Sequence, residues 1–160
     1  MKITPNTKIC TLLDYIIKTG PISTYVDSYT KEDFLLDEPD FSSDKAHGIN
    51  NHFTQVCMPS NVYISAAAKL LGAKLITNSV IYPEKGYMGW HTNSDLEGTR
   101  IYYTKTDGEA IFSYYKDGVR YNDYDNVGSW TCREFKVSKT DLLWHAIWTE
   151  KPRYAFGFLV

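Results

Sequence analysis

His91, Thr92 and Asn93 place an imidazole and an amide oxygen two residues apart, within the run Tyr82-Pro83-Glu84-Lys85-Gly86-Tyr87-Met88-Gly89-Trp90-His91-Thr92-Asn93-Ser94-Asp95. A second histidine, His145, lies in a late apolar segment, and Arg153 follows it. Two histidines far apart in sequence, with an oxygen ligand two residues beyond the first, outline a non-haem iron site of the facial-triad type. Such a site ordinarily takes a carboxylate as its third ligand, whereas position 93 holds a neutral amide. Asn93 can ligate through its oxygen, Asp95 can supply the carboxylate instead, or the histidines can act without either. Asparagine is also a common turn residue, so position 93 has a plain structural reading as well.

These side chains need a rigid frame, and strands supply it. From Lys74 onward the pattern predicts strands near 74–82, 87–93, 99–106, 109–116, 118–124, 130–137, 142–149 and 153–160. Asp107-Gly108 and Asp117-Gly118 read as hairpin turns between them. Upstream, Ile9, Leu12, Leu13, Ile16 and Ile17 recur at helical spacing and predict an amphipathic helix that Gly20-Pro21 stops. A second helix is expected from about Asn61 to Leu71, with Ser60 as its cap and Gly72 at its end. Residues 21 to 60 show no clear period and could form a lid; His47 and His52 lie there without further ligand types beside them. The expected architecture is a mainly β (α+β) single domain over 1–160. Residues 1–73 form a helical and irregular part, packed on a 74–160 double-stranded β-helix or jelly-roll core of about eight antiparallel strands.

Strand parity then assigns faces. His91 and Asn93 share one face, with Trp90 and Thr92 on the other. His145 shares its face with Leu143 and Ile147, opposite Trp144, Ala146 and Trp148. Arg153 shares its face with Ala155, Gly157 and Leu159, opposite Tyr154, Phe156, Phe158 and Val160. An arginine beside small residues leaves volume above the strand and suits a planar carboxylate, which a guanidinium binds with two parallel hydrogen bonds. Arg153 also reads as a surface charge at a strand start, and Arg100 as a solvated or salt-bridged strand residue.

Taken in order, Tyr82-Pro83-Glu84-Lys85-Gly86, His91-Thr92-Asn93, Arg100-Ile101-Tyr102-Tyr103, Asp107-Gly108-Glu109-Ala110-Ile111-Phe112, His145 and Arg153 resemble the iron(II)/2-oxoglutarate-dependent dioxygenase superfamily, nearest its prolyl-4-hydroxylase-like branch. The resemblance covers about residues 74–160 and departs from the family at Asn93. It implies His91 and His145 as iron ligands, with Asn93 or Asp95 as the third. It implies Arg153 as the partner of the far carboxylate of 2-oxoglutarate, with Tyr82 or Tyr103 hydrogen-bonding the same cosubstrate. Dioxygen would then deliver one atom to succinate and the other to a C–H bond of a protein side chain or a nucleobase. The alternatives are a catalytically impaired jelly roll that only binds its ligand, and a cupin-type metal enzyme that is not an oxygenase.

Composition bounds the rest. Hydrophobic residues at 43% supply a core, and a net charge of −2 with no Lys/Arg cluster does not point to nucleic acid as a partner. Cys10, Cys57 and Cys132 are scattered, which argues against a cysteine zinc site and fits a reduced, cytoplasmic setting. No apolar run is long enough for a membrane span. There is no phosphate-binding glycine loop, GxSxG elbow or HExxH helix.

Overall fold

A computed structural model describes residues 1–19, 29–42, 56–58, 61–94 and 96–160. His47, His52, Asp95 and most of the segment read as a lid lie outside the described residues. The fold is mainly β with antiparallel sheets. Its strands are β1 (Lys2–Ile3), β2 (Val56–Cys57), β3 (Leu75–Tyr82), β4 (Tyr87–His91), β5 (Gly98–Thr106), β6 (Ala110–Lys116), β7 (Val119–Tyr124), β8 (Thr131–Val137), β9 (His145–Thr149) and β10 (Arg153–Leu159). The helices are α1 (Thr7–Thr19), α2 (Lys31–Leu36) and α3 (Val62–Leu71).

The strands form a six-stranded sheet in the order β1-β8-β5-β10-β3-β2 and a four-stranded sheet in the order β4-β9-β6-β7. Their pairing is nested. The β6–β7 hairpin is innermost, followed outward by β5 with β8, β4 with β9, and β3 with β10. The hairpin turns through Asp117 and Gly118, both at positive φ (52° and 74°). That is the type I′ geometry for which Asp-Gly is suited.

Alternation sorts the side chains into three apolar layers. Tyr102, Phe112, Phe135, Ile147 and Ala155 fill the space between the sheets. Phe156, Phe158 and Tyr103 point the other way, from the large sheet into the stripe Ile9, Leu13 and Ile16 of α1 and into Ile64 of α3. Each fully buried Phe or Ile there contributes roughly 1.5–3 kcal/mol. On the outer face of the small sheet, Trp90, Trp144 and Trp148 pack with Phe34 of α2. The Trp90 indole donates to Asp37 O and that of Trp148 to Tyr29 O.

Several boundaries differ from expectation. Asn61 caps α3, its Oδ1 accepting from the N–H groups of Tyr63 and Ile64; Ser60, the expected cap, lies outside the described residues. Gly72 ends that helix in the left-handed conformation, as its position predicts. Strand β9 begins at His145 rather than near 142. Helix α2, six residues long, is too short to show a period; Thr30 caps it, and Arg120 binds the carbonyls of Phe34, Leu35 and Asp37 at its end. Among the described residues no helix is long and apolar enough to cross a membrane.

Candidate metal centre between the sheets

The end of β4 and the start of β9 meet in register, His91 opposite His145. The two rings lie 4.1 Å apart between centroids and face the inter-sheet space. Both histidines are buried. His91 Nδ1 lies 2.6 Å from Gly89 O, and His145 Nδ1 lies 2.8 Å from Leu143 O. A carbonyl can only accept, so each Nδ1 carries a proton, and in His145, where Nε2 faces the Asn93 amide, Nε2 holds the lone pair. That tautomer is the one a metal-binding histidine needs, with the second nitrogen orienting the ring. Burial pushes the His145 pKa down to about 4, against the pull of its bond to Leu143, and the nearby Arg100 charge adds to the push. His145 is therefore a neutral imidazole at pH 7.

Asn93 follows directly. Its φ of 56° is left-handed, a conformation asparagine tolerates better than most residues. A turn closes behind it, Leu96 N–H donating to Asn93 O. The bend swings the side chain back, and its Nδ2 lies 3.1 Å from His145 Nε2. Metal–ligand bonds of about 2.1 Å at right angles would set neighbouring ligand atoms about 3.0 Å apart. The spacing of Asn93 and His145 thus fits two adjacent positions around one cation, with the amide rotated to present its oxygen. Among the described residues no group of three His, Cys, Asp or Glu side chains could hold a metal ion. The set brought together is His91, Asn93 and His145, which supplies neutral donors only.

Arg153 is buried at the opposite end of the inter-sheet face from Arg100. On β10, Arg153 stands opposite Thr106 of β5 and Leu159 opposite Arg100, which separates the two arginines by about 20 Å of strand. The Nε of Arg153 donates to Asp125 Oδ2 at 2.7 Å. Asp125 also accepts from Arg133 at 2.6 Å and from the Thr104 hydroxyl at 3.1 Å. The two guanidinium groups hold the Asp125 carboxyl at about 2, below the usual carboxylate range, against its burial. The volume expected above the small residues of β10 is taken up in part by Tyr102, since a Cβ on Gly157 would lie 2.1 Å from its ring.

Tyr82 stands opposite Arg153 in register, with the Arg153 guanidinium 5.7 Å from its ring centroid. Its hydroxyl donates to Met88 Sδ. Tyr103 is on the other side of the sheet, among the helices, where its hydroxyl accepts from Asn6 N–H. The two tyrosines expected beside the cosubstrate are therefore separated by the sheet, and Tyr103 does not share the space with the histidines.

Three groups carry more than sequence reading assigned to them. Arg133 sits inward with Phe135 and Val137, while Glu134 and Lys136 face out; that alternation was the available signal. Asp125, in a polar run after β7, carried none. Arg100 is 4% exposed and donates to Leu96 O, while its Nε has no hydrogen-bond partner among the described residues. A cleft of about 730 Å³ opens beside this end of the sandwich, lined in part by Tyr114, Phe135 and Leu143. Phe135 packs on the His145 ring at 5.5 Å.

In comparisons with known proteins, no family model, no curated protein and no solved structure matches this chain.

Proposed function

We propose that this protein is an iron(II)/2-oxoglutarate-dependent oxygenase built on a double-stranded β-helix. The nested pairing around the β6–β7 hairpin supports the jelly-roll reading. One observation supports the functional reading: His91, Asn93 and His145 come together between the sheets, with both histidine rings oriented by backbone carbonyls at Nδ1.

In this reading His91, His145 and the Asn93 oxygen hold the metal. Gly89 O and Leu143 O fix the two rings, so little orientation is lost on binding. Arg153, which the resemblance assigns to the distal carboxylate of the cosubstrate, is held by Asp125 at Nε and lies at the other end of the inter-sheet face, too far along the strands for a cosubstrate bound at the histidines. The apolar wall of Phe112, Phe135 and Ile147 keeps water from the inner site. Iron(II) with 2-oxoglutarate would supply dioxygen-dependent C–H oxidation there, yielding succinate, carbon dioxide and a hydroxylated protein side chain or nucleobase. The neutral amide at 93 favours one rival, a binding module that holds a metabolite without turnover.

Purified protein given Mn(II) and 2-oxoglutarate at saturation is expected to melt at a higher temperature, since both bind only the folded state. With Fe(II) and dioxygen it is expected to form succinate. Ligand binding without succinate in any substrate panel favours the binding module. An unchanged melting temperature with both ligands overturns the metal-site reading. His91→Ala and His145→Ala are each expected to abolish metal binding, and unchanged stoichiometry in both refutes the ligand assignment.

A further inference from the structure

The two histidines are held to the small sheet in different ways. His145 begins β9, which is paired on both sides, with Tyr114 of β6 and His91 of β4 opposite it. His91 ends β4, an edge strand with β9 as its one partner among the described strands. The β4–β9 ladder is also interrupted just before His91. Met88 stands opposite Ile147 and His91 opposite His145, so three steps along β4 span two along β9. Gly89 and Trp90 therefore form a β-bulge, a device that bends a strand and re-aims the side chain beyond it. The carbonyl that orients the His91 ring, Gly89 O, belongs to this bulge. A bulge leaves its extra residue outside the ladder, so contacts other than strand pairing must hold its shape.

Those contacts lie on the outer face of the small sheet, where residues 29–42 run across as a strap. Trp90 is 1% exposed, and its indole N–H donates to Asp37 O of the strap at 3.1 Å. The same carbonyl accepts from Arg120 Nη1 at 2.8 Å, and the Arg120 guanidinium lies 5.0 Å from the centroid of the Trp90 ring. Arg120 also donates to the carbonyls of Phe34 and Leu35, groups that the end of α2 leaves without helical partners. Its Nε donates to Asn122 Oδ1, which anchors the guanidinium on its own strand. Arg120 belongs to β7 and Trp90 to β4, the two edges of the four-stranded sheet. One strap carbonyl thus ties both edges together beside the bulge.

We propose that Arg120 and Trp90 are positioning residues for His91: the strap they bind braces the bulge from outside and so sets where the His91 ring points inside. The proposal deepens the oxygenase reading and rests on its site. Groups that orient a metal ligand from behind are worth about 10–100-fold in metal affinity. Here that dependence falls on one ligand of the pair. His145 is fixed by a strand on either side of it and needs no strap.

The experiment uses the full chain as wild type, Arg120→Gln, Arg120→Lys and Trp90→Phe. Proton–nitrogen NMR of the ligand-free proteins measures how fast the Nδ1 proton of each histidine exchanges with water, and titration measures Mn(II) affinity. Arg120→Gln and Trp90→Phe are expected to speed exchange at His91 and to leave His145 as in wild type, while Mn(II) affinity falls about 10–100-fold. Arg120→Lys, which still donates to the strap carbonyls, is expected to recover part of the loss. Exchange at His91 that is unchanged in both variants overturns the proposal. Equal acceleration at both histidines also overturns it, because that marks a general loosening of the sheet. A wild type that binds no Mn(II) overturns the metal reading, and the two exchange rates then decide the brace by themselves.

Discussion

The Asn93 amide donates to His145 Nε2 across 3.1 Å, so the nitrogen facing the proposed metal position already has a hydrogen-bond partner inside the protein. A cation must displace that bond and rotate the amide. Asn93→Asp replaces the donor with an anion and adds a charge to a neutral shell. It is expected to bind Mn(II) at least tenfold more tightly than wild type, measured by titration with paramagnetic resonance detection. Equal affinity places the third ligand elsewhere. Asn93→Ala is expected to lose metal affinity and, at φ 56°, to lose about 1–2 kcal/mol of stability from backbone strain.

Acid should destabilise the fold in a window set by His145. Its pKa is lowered from 6.5 to about 4. Above pH 6.5 the ring is neutral in both states and the contribution is fully present. Between 6.5 and about 4 the unfolded chain binds a proton that the folded chain refuses, so stability falls as pH falls. The loss is on the order of 3 kcal/mol across that window. Urea unfolding at several pH values measures it, and His145→Gln is expected to flatten this part of the curve. A slope that persists in the variant assigns the effect to another group.

Asp125 acts in a lower window and with a larger penalty on removal. Its pKa is lowered to about 2 from 3.8, so its contribution is present above 3.8 and is lost as pH falls toward 2. Asp125→Asn leaves the Arg133 and Arg153 cations facing each other without their shared anion. It is expected to cost about 3–5 kcal/mol in urea unfolding at pH 7. A loss below about 1 kcal/mol would show that water or other groups solvate the pair.

Gly157 lies where β10 passes under the Tyr102 ring. A Cβ there would come within 2.1 Å of the ring and 2.7 Å of Thr77 Oγ1. Gly157→Ala is expected to destabilise by about 1–3 kcal/mol through overpacking. Urea unfolding measures the loss, and a stability equal to wild type would show that the Tyr102 ring gives way without cost.

Alternation was legible because it is local. The inward set of Leu143, His145 and Ile147 and the outward set of Trp144, Ala146 and Trp148 follow from the two-residue repeat of an extended chain. The same repeat separates Tyr102 from Tyr103, yet nothing local says which face the helices cover, so Tyr103 could not be placed from spacing alone. The partners of Arg153 were hidden for a related reason. Asp125 joins it to Arg133 across three separate segments, and such a triad exists only after the sheets have closed. Asn93 shows the opposite case, a residue whose turn preference is met locally, and the left-handed turn brings its amide to His145.

His91 and His145 belong to the small sheet, and Arg100 belongs to the large one. A molecule that touched both the histidines and Arg100 would fasten one layer to the other, across a gap filled by apolar side chains and the ion pairs of Asp125. Loading should slow amide hydrogen exchange in β5 and β9 together. Exchange in β7, at the free edge of the small sheet, should stay as it was.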